Sequence, residues 1–384
     1  MFVTDKEAIS LINKPIAATR KAFFMAGFSL ASWAPLIPLT KERLQLDNGM
    51  MGAILLAFGF GSLLMMPLSG MLAARFGCRR IFTLALLLVL ATLPALVTLN
   101  SVVSLALALF LFGAGIGAMD VVVSIHAVIT EKYAQKPIMS GFHALFSLGG
   151  IAGAAAVSLL LSWEIPPLKV VMMVIALLGF IMLLTWPGMM DEAERRDTPF
   201  FVWPKGTVLL LGLLCCIAYV MEGSMLDWSG ILLTSQHNVD VRQAGLGYTL
   251  FAITMTLGRL LGDRAIARFG AKRIFMASAM LATSGFIVLI TSQALFITAL
   301  AFLLIGLGVA NIAPMLFTAS GLQKEMPDAL AVAAVSSLGY SGILMGPAII
   351  GFVAHFTTLI GAFIFVTLLS IILLMISHRV RLTS

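Results

Sequence analysis

Long apolar segments separated by short polar connections run through the 384-residue chain. An apolar stretch of ~20 residues crosses the hydrocarbon core of a bilayer as a helix, whereas the strands of a membrane barrel are about 10 residues long and alternate in polarity. The pattern therefore predicts an all-α membrane protein with twelve transmembrane helices. The predicted spans are residues 16–39, 49–74, 81–99, 102–130, 138–162, 168–187, 206–234, 244–267, 274–291, 294–320, 329–355 and 359–377.

Composition supports a membrane protein and argues against the soluble classes. Hydrophobic residues make up 60% of the chain and charged residues 11%, whereas a soluble domain carries about 25% charged residues. The net charge of +7 does not indicate nucleic acid as a partner, because in a membrane protein the distribution of charge matters more than its total. The three cysteines lack the spacing of a metal site. We expect no metal, no cofactor and no enzyme activity.

The longest polar connection, residues 188–205, is rich in charged residues and follows the sixth span. It predicts a linker between an N-terminal half, residues 1–187, and a C-terminal half, residues 206–384. Since the polar N terminus lacks a small-residue cleavage site, we expect the first span to act as the insertion signal.

Lysine and arginine are distributed unevenly over the two sides that twelve spans define. Of the 24 such residues, Lys41, Arg43, Lys169 and Arg242 lie in connections on one side, Arg259 lies within a span, and all others lie on the opposite side. The positive-inside rule assigns the richer side to the cytoplasm. We therefore expect both termini and the linker to be cytoplasmic, and the protein to lie in a bacterial inner (plasma) membrane.

The two halves repeat each other. Arg75–Phe82 recurs as Arg268–Phe275 at an offset of 193 positions. Further matches keep the same order and nearly the same offset, which predicts two six-helix halves related by pseudo-two-fold symmetry. These matches are Gly115–Asp120 with Gly306–Asn311, Ser147–Gly149 with Ser337–Gly339, and Trp33 with Trp228.

The repeated loops carry a recognisable motif. The first copy reads GMLAARFGCRR from Gly70 to Arg80, and the second reads GDRAIARFGAKR from Gly262 to Arg273. With these loops and the duplication, the whole chain resembles the major facilitator superfamily of secondary transporters. The aspartate usual in the motif is replaced by Ala74 and Ala267, although Asp263 lies one turn earlier in the second copy.

A narrower resemblance points to bacterial members near the fucose-permease-like branch. It rests on the segments Pro137–His143 and Glu222–Trp228 and on the surroundings of Asp120, although Ser124 stands where most of those members carry asparagine. The family resemblance also implies that spans one, four, seven and ten line a central cavity.

Carboxyl groups deep in two of those spans are candidates for proton coupling. An Asp at the centre of a membrane helix costs ~2.5–3.5 kcal/mol, so such a group tends to face a cavity or a partner. We interpret Asp120 and Glu222 as proton-coupling and substrate-binding residues; the alternative is a polar contact between helices. His143 is a third candidate for proton coupling, because an imidazole exchanges protons near neutral pH. His126 is better explained by a hydrogen bond to a neighbouring helix.

Trp33, Trp228 and Asn311 are predicted substrate contacts, together with Asp227. An aromatic face and a bifunctional amide suit a sugar or another neutral polar molecule. The alternative for each tryptophan is an interfacial anchor, and for Asp227 a carboxylate near a helix end.

Cationic side chains in the repeated loops are predicted to govern conformational exchange, because such groups at helix ends bridge carboxylates and helix C-termini. Arg259, with Asp263 four residues further on, is expected to form a charge pair at a helix end. Glycine runs within the spans are expected to bring helices close together. The predicted gating residues are Arg75, Arg79, Arg80, Asp263, Arg264, Arg268 and Arg273.

The expected function is transport by alternating access around a site between the two halves. Proton-coupled symport of a small neutral polar solute such as a sugar, by a monomer, is the first hypothesis. Proton-antiport efflux of amphipathic compounds and a non-transporting membrane sensor are the alternatives. The expected partners are the small-molecule substrate, protons and the lipid bilayer.

The topology is open to a direct test. Reporter fusions at the C terminus and after Asn238 should give opposite signals, because the charge distribution places these positions on opposite sides of the membrane. Matching signals from the two fusions would contradict the twelve-span topology.

Overall fold

The computed structural model describes residues 5–46, 48–191, 202–237, 239 and 246–382, and these residues form helices and connections without a strand. The predicted linker is described only at its two ends, so Arg195 and its charged neighbours lie outside the described residues, as do Asn238 and Arg242. The α-helices are α1 (Asp5–Ser32), α2 (Ile37–Arg43), α3 (Asn48–Phe76), α4 (Cys78–Thr98), α5 (Val102–Ala134), α6 (Met139–Ser162), α7 (Pro167–Thr185), α8 (Gly206–His237), α9 (Leu246–Phe269), α10 (Ala271–Thr291), α11 (Leu295–Val309), α12 (Ile312–Leu322), α13 (Asp328–Phe356) and α14 (Leu359–Ser377).

The helices confirm the twelve predicted spans. Ten segments of the described chain are long and apolar enough to cross a membrane, with α11 and α12 together forming one of them. The two others are α1 and α9, which have 28 and 24 residues and are less apolar. Large apolar side chains such as Phe296 and Leu183 are 81% and 74% exposed, as expected for surfaces that face lipid rather than water.

Two predicted spans are wrong in detail, and proline explains both. The first span does not continue to residue 39: α1 ends at Ser32, and a 3-10 turn and the short α2 follow. Pro35 lacks the N–H that would bond to the carbonyl of Ala31 in a continuous helix. The tenth span is divided between α11 and α12 at Ala310 and Asn311. Pro314 lacks the N–H that would bond to the carbonyl four residues earlier, and its ring crowds that carbonyl.

The chain forms two compact units. The first contains residues 1–135, 142–203 and 326–333, and the second contains residues 136–141, 204–325 and 334–384. The first turns of α6 and α13 therefore belong to a different unit from the rest of each helix.

Glycines bring helices into close contact within each unit. In the first unit, a Cβ on Gly113 would lie 2.0 Å from the Phe58 carbonyl oxygen, so α5 packs directly on the backbone of α3. In the second unit, a Cβ on Gly342 would lie 2.4 Å from the Cys216 carbonyl oxygen. These contacts confirm the close-packing role predicted for the glycine runs.

The repeated loops share a backbone conformation that requires glycine. Gly77 precedes α4 with φ 85° and ψ 153°, and Gly270 precedes α10 with φ 86° and ψ 144°. Other residues adopt this conformation only at a cost of order 1–3 kcal/mol. The two sites differ in their surroundings. A Cβ on Gly77 would lie 2.5 Å from Oδ1 of Asp191, whereas no other part of the described chain comes within 4 Å of a Cβ on Gly270.

Gly77 and Gly270 therefore form a matched pair, because they share the backbone conformation and differ in the neighbouring Asp191. Gly77→Ala and Gly270→Ala should both lower the thermal unfolding temperature, since both meet the same backbone strain, but Gly77→Ala should lower it more because it also displaces Asp191. In an Asp191→Ala background the difference between the two substitutions should become smaller, because the close contact with Oδ1 is gone while the backbone of residue 191, at 3.1 Å, remains. Thermal unfolding of the purified variants in detergent measures this, and equal effects in the wild-type background would contradict the assigned contact.

Candidate functional site

A buried ion pair lies at the middle of α8. Glu222 is near the centre of this 32-residue helix, and its Oε2 lies 3.2 Å from Nη2 of Arg259 on α9. The arginine side chain is 6% exposed and the glutamate side chain 22% exposed. The expectation that Arg259 serves as a helix-end residue is therefore corrected: its guanidinium is inside the second unit and neutralises a carboxylate on another helix.

The same arginine contacts the break in the tenth span. Its Nε donates a hydrogen bond of 3.3 Å to the carbonyl oxygen of Ala310. In return, Nδ2 of Asn311 donates a 3.0 Å hydrogen bond to the carbonyl oxygen of Gly258. Consecutive residues on α9 thus exchange hydrogen bonds with consecutive residues at the break, and this fixes the break against α9.

Small residues on α9 allow this approach. A Cβ on Gly258 would lie 2.7 Å from that of Ala310, and a Cβ on Gly262 would lie 2.0 Å from Oδ1 of Asn311. Asn311, a predicted substrate contact, is 6% exposed, and its Oδ1 has no hydrogen-bond partner among the described residues. Its amide N–H is thus used in packing, while its oxygen is an available acceptor.

Two other predicted residues, Asp227 and Trp228, lie further along α8 in the second unit. Asp227 on α8 is exposed. Tyr248 on α9 lies close enough to Glu222, Arg259 and Asp227 to interact with them electrostatically. Trp228 packs its ring beside Gly351, and its indole nitrogen is buried without a hydrogen-bond partner among the described residues. Acidic, aromatic and hydroxyl groups are therefore gathered around the middle and one end of α8.

In the first unit, Asp120 and Trp33 occupy different environments. Asp120 is partly exposed within the continuous helix α5, and none of the described residues forms a hydrogen bond or ion pair with it. Trp33 is 5% exposed just after α1, and its indole N–H has no acceptor within the described chain. Asp120 is thus a carboxyl group without the cationic partner that Glu222 has.

The two histidines of the first unit also differ. His143 is 8% exposed and meets the ring of Phe23 edge-on, with ring centroids 5.2 Å apart. His126 is fully buried: its Nε2 accepts a 2.9 Å hydrogen bond from the Met190 N–H, and its Nδ1 lies 2.8 Å from Oγ1 of Thr19. Because Nε2 accepts, Nδ1 carries the proton and donates to Thr19. His126 therefore has the packing role expected for it.

Asp191 and Asp263 organise the predicted gating loops. Oδ2 of Asp191 lies 3.2 Å from Nη2 of Arg79 and 3.6 Å from Nε of Arg80. In the second unit, the Asp263 carboxylate accepts hydrogen bonds of 2.9 and 2.8 Å from the backbone N–H groups of Ser140 and Gly141, at the start of α6. A carboxylate at this position satisfies free N–H groups and complements the helix dipole.

The remaining gating candidates present their charges at the surface. Arg75 and Arg268 lie over the rings of the phenylalanines that follow them, at 5.7 and 5.4 Å. Arg264 and Arg273 are exposed.

Sequence reasoning missed three contributors, and two of them had a signal. Gly258 and Gly262 form a GxxxG motif, which marks close helix contact in membranes. Pro314 lies four residues after Ala310, which marks a carbonyl without its helical donor. Nothing local to Asp191 connects it with Arg79, because the two are 112 positions apart.

Known proteins resemble this chain along most of its length. The family model for the Major Facilitator Superfamily matches residues 22–221. An uncharacterised MFS-type transporter of Yersinia pestis is 44% identical over 353 residues, which cover 92% of each chain. The membrane protein MosC of Rhizobium meliloti is 29% identical over 366 residues, covering 93% of this chain and 88% of MosC.

A solved structure shares the fold. The fucose:proton symporter FucP of E. coli has a TM-score of 0.76 at 17% identity, covering 96% of this chain and 99% of that chain. The family model, the identity to the Yersinia transporter and the shared twelve-helix fold agree with the repeated loop motif. The chain therefore belongs to the major facilitator superfamily of transporters.

Proposed function

We propose that this transporter is a symporter that couples uptake of a small neutral polar solute, such as a sugar, to protons. The observation that carries the proposal is Glu222, a partly exposed carboxylate at the centre of a membrane helix, paired with one buried guanidinium. An ionisable group at this depth is costly unless it has a function or a partner. Here a partner lies on one side, and the exposed part of the carboxylate can receive a proton.

The charge balance of the second unit supports a neutral solute. The Arg259 guanidinium is nearly enclosed and already faces Glu222, so it offers little free positive charge to an anionic substrate. Asp227 adds negative charge to the same unit, which would repel anions further. FucP, whose fold this chain shares, is a fucose:proton symporter, and this agrees with a neutral hydroxylated solute.

The two tryptophans support a solute rich in hydrogen-bond acceptors. The indole N–H groups of Trp33 and Trp228 are buried without acceptors in the described chain, and an unpaired buried donor costs about 1–3 kcal/mol. A hydroxyl oxygen of the solute that accepts a hydrogen bond from either N–H would remove this cost. We assign Trp33, Asp120, Glu222, Asp227, Trp228 and Asn311 to substrate binding, and Asp120, Glu222 and His143 to proton coupling.

The transporter would also have a defined topology and a defined set of gating residues. The protein would work as a monomer in the inner membrane with both termini and the linker in the cytoplasm, and residues 1–187 and 206–384 would be the halves that alternate access. Asp263, which caps α6, and the arginines of the repeated loops would control the exchange between states.

Removing the charge of the carboxylates tests the coupling. Glu222→Gln and Asp120→Asn keep shape and hydrogen bonding but cannot exchange protons. At least one should abolish pH-driven accumulation in proteoliposomes while retaining counterflow exchange of the same solute. The solute is first selected from a panel of neutral sugars and polyols by thermal shift, since a ligand stabilises the folded state.

The outcomes separate the hypotheses. Accumulation against a gradient after a pH step in both single variants and in the double variant would exclude coupling through either carboxylate. Export of the solute in response to the same pH step would favour proton-antiport efflux over symport, and binding without flux would favour a sensor.

The gating assignment gives a separate expectation. Arg268→Ala should slow transport several-fold while leaving the Kd of the selected solute within about twofold, because it removes a loop charge rather than a contact in the site. A large loss of affinity with normal turnover would assign this loop to the binding site.

A further inference from the structure

The carbonyl group of Ala310 is left without its helical donor by Pro314. In a continuous helix this oxygen would accept from the N–H four residues later, but proline has none. The hydrogen-bond ladder is intact on both sides of the gap: Ala310 N–H bonds to Gly306 at 3.2 Å and Met315 N–H to Asn311 at 3.1 Å. One buried carbonyl oxygen, that of Ala310, thus has no donor from its own helix.

Arg259 supplies the missing donor. Its Nε is 3.3 Å from this oxygen while its Nη2 is 3.2 Å from Glu222. In a bilayer, a backbone carbonyl without a donor costs several kcal/mol, and a buried guanidinium without a counter-charge costs more. The three groups therefore satisfy one another: the carboxylate holds the guanidinium in place, and the guanidinium completes the broken helix.

We propose that Arg259 is a positioning residue that transmits the protonation state of Glu222 to the break between α11 and α12. This inference rests on the proposed proton coupling and describes how the same site would control a helix. When Glu222 is neutral, the guanidinium loses its counter-charge and turns away, and the carbonyl of Ala310 loses its donor. The break then becomes free to change its geometry.

The surroundings of Glu222 make Arg259 the natural partner for this step. Among the described residues, Tyr248 on α9 interacts electrostatically with Glu222, Arg259 and Asp227. Asp263, also on α9, accepts hydrogen bonds from the backbone N–H groups of Ser140 and Gly141.

Helices α11, α12 and α14, which also pack on α8, contain no charged residue. Helix α13, which packs on α8 through Gly342, carries Asp328 in its first turn and His355 in its last turn. The ion pair at 3.2 Å makes Glu222 the counter-charge of Arg259, and Asp263 is engaged at the start of α6.

The two halves of the chain differ at the positions of Pro314 and Arg259. At the offset of 191 that relates Asp120 to Asn311, Val123 corresponds to Pro314, and α5 continues without a break. The position corresponding to Arg259 holds Leu64 or an apolar neighbour. Proline and arginine thus occur together in the second half and are both missing from the first, as expected if one serves the other.

Amide hydrogen exchange of the full chain in lipid nanodiscs tests the link without any substrate. At a fixed pH, Glu222→Gln imitates the protonated carboxyl and should make the amides of residues 311–316 exchange about fivefold faster, the change expected for one lost hydrogen bond. Arg259→Met should do the same, and the two substitutions together should add little. Residues 359–377 of α14 serve as the internal control.

A thermal unfolding cycle tests the proline. Pro314→Ala restores the N–H that Ala310 lacks, so it should recover much of the unfolding temperature lost in Arg259→Met, and should raise the wild-type temperature much less. Pro67→Ala, which changes a proline within α3, is the matched control and should not rescue Arg259→Met. Equal shifts from Pro314→Ala in both backgrounds would show that Arg259 does not replace the helical donor.

These results are independent of transport. Unchanged exchange at residues 311–316 in Glu222→Gln, or an equal change with and without Arg259, would overturn the inference even if transport proves proton-coupled. Pronounced proton-driven accumulation in the Glu222 and Asp120 variants would instead contradict the proposed proton coupling. The exchange measurements would still show whether Glu222 acts through Arg259 on the break between α11 and α12.

Discussion

A bilayer offers no water to hydrogen-bond the backbone, so each peptide group within it needs a partner inside the protein. This constraint explains why the described spans are largely helical, and why charged side chains bond to the backbone at two places where a helix begins or breaks. Where Pro314 removes a donor, Arg259 provides one; where α6 begins, Asp263 accepts from its first N–H groups. Charged side chains in this protein are therefore placed where the backbone needs them.

The sequence was sufficient for the fold because the fold depends on patterns that repeat along the chain. Span length, the distribution of lysine and arginine, and the duplicated loop each depend on residue type over many positions, so small errors at the ends of spans do not accumulate. The errors that occurred, at Pro35 and Pro314, were local departures within apolar segments. Hydropathy does not register them, although the missing N–H of proline does.

The candidate site was less predictable because it depends on pairing between distant positions. Glu222 was recognisable alone, since a carboxylate in an apolar span stands out. Its partner Arg259 had a nearer acidic residue in Asp263, and sequence distance favoured that pair, whereas the fold brings the guanidinium to a residue 37 positions away. The ion pair between Asp191 and Arg79 shows the same point. Helix packing decides which charged residues meet, and the local sequence around each residue does not contain this information.

The two halves have diverged in how they use charge. In the first, Asp120 has no cationic neighbour in the described chain and its helix is unbroken; in the second, the equivalent position is a neutral Asn311 beside a break, and the carboxylate has moved to α8 with its own guanidinium. A carboxyl without a cation and a carboxyl held by one respond differently to the same proton, because only the second must release a bound partner. The duplication thus supplied one scaffold twice, and the second copy alone combines Pro314 with Arg259, which is why we propose that protonation changes backbone geometry in that half.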